Sequence, residues 1–226
     1  ETGITVYSLY GATKKPSKEM VEKNYEGIFK IIKIELPNEN IGNDTEIVTE
    51  MKTEIVDLHA YDFTLCFAGD ISLDEAAVTT SQLDASENGI YGCISPELIQ
   101  IMKDADLMCL NNEFTYSTNG SPLPNKAYTF RANPDRISVL HDMGVDMVTL
   151  ANNHVYDYGK QALLDTFTTL EDAGIDYFGA GHNLEEAMKP IYYTLDDKVV
   201  AFVGASRAEK YKLTPQATAD SPGILR

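Results

Sequence analysis

The stretch Val145-Asp146-Met147-Val148-Thr149-Leu150-Ala151-Asn152-Asn153-His154-Val155-Tyr156-Asp157-Tyr158-Gly159 decides the fold. Val145 to Leu150 is a short apolar run of the kind that forms a buried strand. It ends abruptly in Ala151-Asn152-Asn153-His154, a polar group that no strand interior tolerates unpaired. Beyond Gly159, Lys160 to Ala173 has helical spacing through Ala162, Leu163, Phe167 and Leu170, and Gly174 can end it. The unit is therefore strand, polar loop, helix.

The same unit recurs on either side. Upstream, Asn133-Pro134-Asp135 opens a helix running to about Met143, which Gly144 terminates. Before that, Leu107 to Leu110 is a strand ending at Asn111-Asn112-Glu113. Ser95-Pro96-Glu97 starts a helix through Leu98 to Met102, with Pro at its first position. Phe63-Thr64-Leu65-Cys66-Phe67-Ala68 reads as another strand, stopped by Gly69-Asp70. Downstream, Tyr177-Phe178 and Val199-Val200-Ala201-Phe202-Val203 are further strands. Strands alternating with helices predict an α/β layered fold with much parallel pairing. In such sheets ligands gather beyond the carboxyl ends of the strands, and the polar clusters fall there.

Residues 1–60 differ in character. They carry a Lys-rich stretch from Lys14 to Lys33 and the turn-rich segment Pro37-Asn38-Glu39-Asn40-Ile41-Gly42-Asn43-Asp44. Ile28 to Leu36 alternates well enough for a strand, and Ile47 to Leu58 less cleanly. We place a boundary here: 1–60 as a small β-rich or extended flank without assigned chemistry, 61–226 as the α/β domain. The chain begins at Glu1-Thr2-Gly3 rather than Met and ends at Arg226, so we expect a piece of a longer protein, its targeting segment removed.

Thirty-five acidic against eighteen basic residues give a net charge of −17, and 43% of residues are apolar. The chain is globular in composition. Its charge repels phosphate backbones and anionic head groups, which argues against nucleic acid and peripheral membrane binding. Metal ions or cationic partners suit it better, although the charge also serves solubility alone. No apolar run approaches the roughly 18 residues of a membrane span. Cys66 and Cys109 lie in apolar runs and read as small buried hydrophobes. With Cys93 they make neither a disulfide framework nor a CxxC metal motif, so the redox compartment stays open.

Three clusters carry potential chemistry. Asp70, on the turn that leaves the first strand, is placed as a metal ligand, with Gly69 permitting a sharp exit; alternatively it caps the next segment as an Asx-turn residue. Asn111-Asn112-Glu113 offers amide and carboxylate oxygens to a divalent cation, or forms a polar loop with Glu113 in solvent. In the third cluster the Asn153 amide can ligate a metal, and His154 can deliver a proton to a phosphate oxygen or leaving group. Asp157 would hold that imidazole in one tautomer. The alternative is a helix cap with His154 packed. Together the clusters place Asp70, Glu113 and Asn153 at neighbouring strand ends around one or two cations. Two ions about 3.5–4 Å apart activate water in a phosphoester displacement.

At these residues the chain resembles the CapA-type capsule and poly-γ-glutamate biosynthesis family, within the calcineurin-like metallophosphatase superfamily. The resemblance is carried by Gly69-Asp70, Asn112-Glu113, Ala151-Asn152-Asn153-His154 and Asp157-Tyr158-Gly159. Tyr128-Thr129-Phe130-Arg131-Ala132, Gly179-Ala180-Gly181-His182-Asn183 and Val200-Ala201-Phe202-Val203-Gly204 add to it. It covers residues 61–226, as the front portion of the family's domain. It implies a four-layer α/β/β/α sandwich, truncated here, and a role in making or exporting an anionic cell-surface polymer at the extracellular face of the membrane. It further implies Asp70 and Asn153 as metal ligands, Glu113 in the place of a bridging carboxylate, His154 assisting catalysis, and Mn, Zn or Fe as the metal. Membrane synthase subunits and either the anionic polymer or a phosphoester substrate follow as partners.

Two departures bear on the site. The superfamily's first motif reads Asp-x-His, whereas this chain has Asp70-Ile71-Ser72. Later strands of the superfamily add histidine ligands, which His59, His141 and His182 do not replace; His141 is expected at the surface, and His182 lies in a Gly-rich turn. Three functions therefore stay open: a polymer-synthesis accessory protein that keeps a metal site, a metal-dependent phosphoesterase, and a non-catalytic binding module. Arg131 and Arg136 are candidates for a basic patch that would meet a polyanion, or else lie at a solvated helix start.

Overall fold

A computed structural model describes residues 63–195 and 198–226. The readings made for residues 1–60, including the strands at 28–36 and 47–58 and His59, lie outside the described residues. In chain order the elements begin with β1 (Leu65–Ile71), α1 (Val78–Ala85), α2 (Pro96–Asp104) and β2 (Leu107–Asn112). A short parallel pair follows, β3 (Thr115–Tyr116) and β4 (Arg131–Ala132), then α3 (Ile137–Asp142), β5 (Met147–Thr149) and α4 (Gly159–Asp172). Next come β6 (Asp176–Phe178), β7 (Ala180–Gly181) and α5 (Leu184–Met188). The hairpin β8 (Ile191–Leu195) and β9 (Lys198–Phe202) precedes β10 (Gly223–Ile224).

The sheet order is β1-β2-β5-β6, all parallel. The expected α/β alternation and parallel pairing are thus present. β2 and β5 are central, and every residue from Leu107 to Leu110 is buried, which is why these runs are apolar on both faces. On one face Met108, Leu110, Val148 and Leu150 pack with Leu163, Phe167 and Leu170 of α4 and Ile99 and Met102 of α2. On the other, Leu107, Cys109, Met147 and Phe178 meet Phe202, with Ile191, Tyr193 and Val200 of the hairpin packed against them. The described residues therefore give helices on one side of the sheet and an antiparallel hairpin on the other.

Local chemistry explains the helix limits. Ser95 caps α2 by accepting from the Leu98 amide at 3.2 Å, with Pro96 at the first position. Asn133 accepts from the Asp135 amide at 3.0 Å and opens a 3-10 turn that runs into α3. Gly144, at φ 73°, then turns the chain into β5 in a left-handed conformation that side chains disfavour. On α4 the buried residues are Ala162, Leu163, Thr166, Phe167 and Leu170, one stripe of the cylinder.

One sequence expectation is corrected. Asp70 does not sit on a turn leaving β1 but within the strand, opposite Asn111. Gly69 keeps a φ outside the left-handed range, so no sharp exit occurs there. The run expected as a strand from Val199 is one: β9 pairs antiparallel with β8 over Lys198–Phe202 in a hairpin.

Candidate functional site

The register of β1 against β2 changes between Phe67 and Asp70: Phe67 faces Cys109, yet Asp70 faces Asn111. Two residues of β1, Ala68 and Gly69, therefore oppose Leu110 alone, which is a β-bulge. Because side chains alternate faces, one extra residue moves Asp70 onto the face of Asn111. The Asn111 amide donates to Asp70 Oδ1 at 2.8 Å.

Asn111 is a hub. Its amide oxygen accepts from Asn152 Nδ2 at 3.0 Å, and it hydrogen-bonds the Glu113 side chain. Burial pushes the Glu113 carboxyl above its ordinary range; the Asp70 charge raises it further, while His154 and the Asn111 bond act against that. The Asp70 carboxylate thus stands close enough to disfavour the ionised form of Glu113. Asn112 points away, its Nδ2 donating to the Phe114 carbonyl at 2.8 Å.

The two asparagines after β5 divide the work. Asn152 is buried; it donates to Asn111 Oδ1 and to the Asn112 carbonyl at 2.9 Å, and its Oδ1 accepts from the His154 amide at 2.9 Å. It braces the loop. The Asn153 amide makes no hydrogen bond among the described residues, while its carbonyl accepts from Lys126 Nζ and from Thr214 Oγ1 at 3.0 Å.

His154 Nδ1 lies 2.8 Å from Asp157 Oδ2. A carboxylate can only accept, so Nδ1 carries the proton and Nε2 is the nitrogen able to exchange one. Asp157 Oδ2 also accepts from the Phe130 amide at 2.7 Å, and the Phe130 ring lies against the imidazole with centroids 4.3 Å apart. The ring is held in place and orientation, as a proton-handling histidine requires.

Sequence reasoning missed the residues that hold this dyad from behind. Lys126 Nζ, with a side chain only 2% exposed, pairs with Asp157 Oδ1 and with Glu209 Oε2 at 2.7 Å. Thr214 Oγ1 bonds Glu209 Oε2 at 3.1 Å as well as the Asn153 carbonyl. Arg226 donates to the Glu209 and Thr214 carbonyls at 2.6 and 2.8 Å. Lys126 follows Gly120-Ser121-Pro122-Leu123-Pro124-Asn125, where no periodicity marks a side chain as buried; the one available signal was a lone cation in an acidic chain.

Other expectations resolve plainly. His141 is exposed and its Nε2 meets the Ala173 carbonyl at 3.0 Å. His182 pairs with Glu186 at 2.8 Å and packs on Phe167; neither partner belongs to the Asp70–His154 array. Arg136 forms a two-pronged pair with Asp84 at 2.7 and 2.9 Å. Arg131 lies over the Tyr158 ring at 4.3 Å. Both expected patch arginines are thus engaged within the chain.

No group of three His, Cys, Asp or Glu side chains suited to a metal ion occurs among the described residues. What the site offers is oxygen only: the mutually repelling Asp70 and Glu113 and the unbonded Asn153 amide. Oxygen donors of this kind are those that a hard divalent cation takes.

Fold and site together define an α/β protein whose polar groups collect beyond the carboxyl ends of parallel strands. Residues 64–223 match the bacterial capsule synthesis protein family PGA_cap, and the chain belongs to that family. It is 32% identical over 121 residues to a probable polyglutamine synthesis accessory protein of Mycobacterium tuberculosis, covering 53% of this chain and 32% of that protein. It is 27% identical over 162 residues to the PGA biosynthesis protein CapA of Bacillus subtilis, covering 70% of this chain and 40% of that one. Similarity to the capsule biosynthesis protein CapA of Bacillus anthracis is 31% over 94 residues, 42% of this chain and 22% of the relative. The chain spans well under half the length of these relatives.

Proposed function

We propose that this chain is an accessory protein of capsule or poly-γ-glutamate synthesis, carrying a metallophosphatase-like site that holds a divalent cation and acts on a phosphoester. The observation that carries the site is one unbroken chain of contacts. It runs from Asp70 through Asn111 and Asn152 to the His154 loop, then through Asp157 and Lys126 to Glu209. The polymer-related role is supported by the names of the three relatives. The same reading puts the protein at the extracellular face of the membrane beside synthase subunits, and makes the β8–β9 hairpin part of the second sheet of an α/β/β/α sandwich.

Asp70, Glu113 and the Asn153 amide would hold the cation. When bound, it would supply charge stabilisation to a phosphoryl oxygen and help activate water for attack. The protein's own contribution is orientation and proton handling. Asp157 fixes the His154 ring through Nδ1, and Nε2 delivers a proton to the leaving oxygen. Lys126 keeps Asp157 in place, and Phe130 shields one face of the imidazole from water. Asn152 ties the histidine loop to β2, so the carboxylates and the imidazole keep a fixed spacing.

Metal content of the purified chain, measured by elemental mass spectrometry beside the Asp70→Ala/Asn153→Ala variant, tests the site. Stoichiometric metal in the parent and none in the variant is expected; equal content in both overturns the assignment. With metal bound, His154→Ala should lower phosphoester hydrolysis by about 10²–10⁴ while metal content stays. Retained metal with no hydrolysis in the parent would leave a binding module on the same fold.

A further inference from the structure

A −17 protein repels an anionic polymer at long range; Arg136 is neutralised by Asp84, and Arg131 is held over the Tyr158 ring. Contact with a polyanion therefore needs other cations. Lys210 and Lys212 line a cavity of about 440 Å³ together with Leu123, Pro124, Asn125 and Leu213. Every charged side chain on its wall is basic. Both lysines are exposed, and neither side chain joins an ion pair or hydrogen bond among the described residues. By contrast, Lys126 and Arg226 nearby are fully engaged.

Both walls are braced against the histidine loop. On one side the Leu123 amide donates to the Asp157 carbonyl at 2.9 Å, and Asn125 holds φ 63° beside the buried Lys126. A left-handed non-glycine residue is the kind of local strain kept at ligand clamps. On the other side, Leu213 and Thr214 donate to the Lys210 carbonyl at 2.9 and 3.1 Å, forming a turn. That turn is anchored by Glu209 on Lys126, by Thr214 on Asn153, and by Arg226 stacked over Tyr211 at 5.9 Å. The lysines are thus presented from a fixed rim whose supports are the supports of His154.

We propose that Lys210 and Lys212 form a subsite for the carboxylate groups of an anionic polymer, placing the chain beside the His154 loop. This rests on the reading that the protein serves such a polymer. The choice of carboxylate follows from that reading, since an ammonium is a point charge that pairs with carboxylate or phosphate alike, and two of them on an open rim hold single charges weakly. Weak single contacts suffice when the ligand repeats its charge along a chain, since each further contact is made at high effective concentration.

The test is fluorescence anisotropy with labelled poly-γ-glutamate at low salt. It compares the parent chain, Lys210→Gln/Lys212→Gln, and the charge-matched control Lys103→Gln/Lys189→Gln. Affinity at least tenfold weaker in the first variant and within twofold in the control is expected, with thermal melting unchanged in both. Equal weakening in both variants, or none in the first, overturns the subsite while leaving a polymer-binding role standing. No binding by the parent overturns the subsite and the polymer role together. Polyphosphate competing at a lower charge-equivalent concentration than unlabelled polyglutamate overturns the carboxylate assignment. Metal content measured on the same samples reports on the Asp70 site independently, so its failure is seen separately.

Discussion

Lys126 carries its charge into a place that excludes water, facing Asp157, whose side chain is fully buried, and Glu209. Removing such charges from water is costly, and the arrangement holds because each has a counter-charge and further hydrogen bonds. Lys126→Met keeps the aliphatic stem but leaves two carboxylates uncompensated. We expect a loss of about 3–5 kcal/mol, read as a fall in melting temperature of roughly 10 °C; an unchanged melt would mean that water already compensates the carboxylates. Thiols give a second check at this scale. Burial pushes the Cys109 thiol up to about 11 and also raises Cys66, whereas Cys93 is exposed. Since the thiolate is the nucleophile, a water-soluble disulfide reagent at pH 8 should titrate one fast thiol in the native chain, removed by Cys93→Ser. Two fast thiols would show that the β1 edge opens around Cys66. Asp70, Glu113, Asn153, His154 and Asp157 were legible because each follows an apolar run closely. Lys126, Glu209 and Thr214 were not, since their partners lie far along the chain and their own neighbours carry no pattern.

Elements differ in how openly they announce themselves. β2, β5 and α4 were legible because burial on both faces, or along one stripe, leaves a periodic record. α1 was not: it is short, with no side-chain cap, and only Thr80 is buried. β8 escaped because Ile191-Tyr192-Tyr193-Thr194 packs on the sheet as half of a hairpin, a pairing that the helix–strand alternation did not suggest. The bulge in β1 was invisible for a deeper reason: a register shift depends on the partner strand. It also gives a prediction about glycine. Gly69 lies in the bulge with no left-handed φ, and an added Cβ meets nothing within 4 Å, so Gly69→Ala should stay within about 1 kcal/mol of the parent, on the stabilising side. Gly144 sits at φ 73°, and a Cβ there would lie 2.7 Å from Lys103 Cγ and 2.9 Å from its Cα; Gly144→Ala should cost more than about 1 kcal/mol. Urea denaturation separates the two, and equal losses would place the strain elsewhere. Between α4 and the loop after β3, burial raises the Asp165 carboxyl, but bonds from Ser117, Asn119 and Gln161 together leave it below its ordinary value. A depressed carboxylate contributes stability that is present above the unfolded value, about 3.9, and lost as pH falls through the folded one. The melting temperature of Asp165→Asn should therefore depend less on pH between about 5 and 2; an identical acid limb would sink this account.

For the molecule as a whole, the balance of charge decides how it responds to its medium. Thirty-five acidic side chains stand against eighteen basic ones, and a net charge so far from zero sets like charge against like. Opposing this, among the described residues, are ion pairs of two kinds. The Lys126 pairs are buried and salt reaches them little. Arg136–Asp84 and His182–Glu186 include well-exposed carboxylates, and such pairs contribute little, about 0–1 kcal/mol each. Added salt therefore removes much repulsion and little attraction, because the screening length falls from about 30 Å at 0.01 M to about 3 Å at 1 M. The melting temperature should climb by several degrees between about 0.01 and 0.5 M sodium chloride, a salt chosen because sulfate would also strengthen apolar burial. Lys126→Met, one charge more negative, should gain at least as much despite its lower starting point. A melt that falls with salt in the parent would mean that exposed pairs, rather than the buried array behind His154, hold the fold together. A rise in the parent without one in the variant would mean that the buried array itself responds to ions.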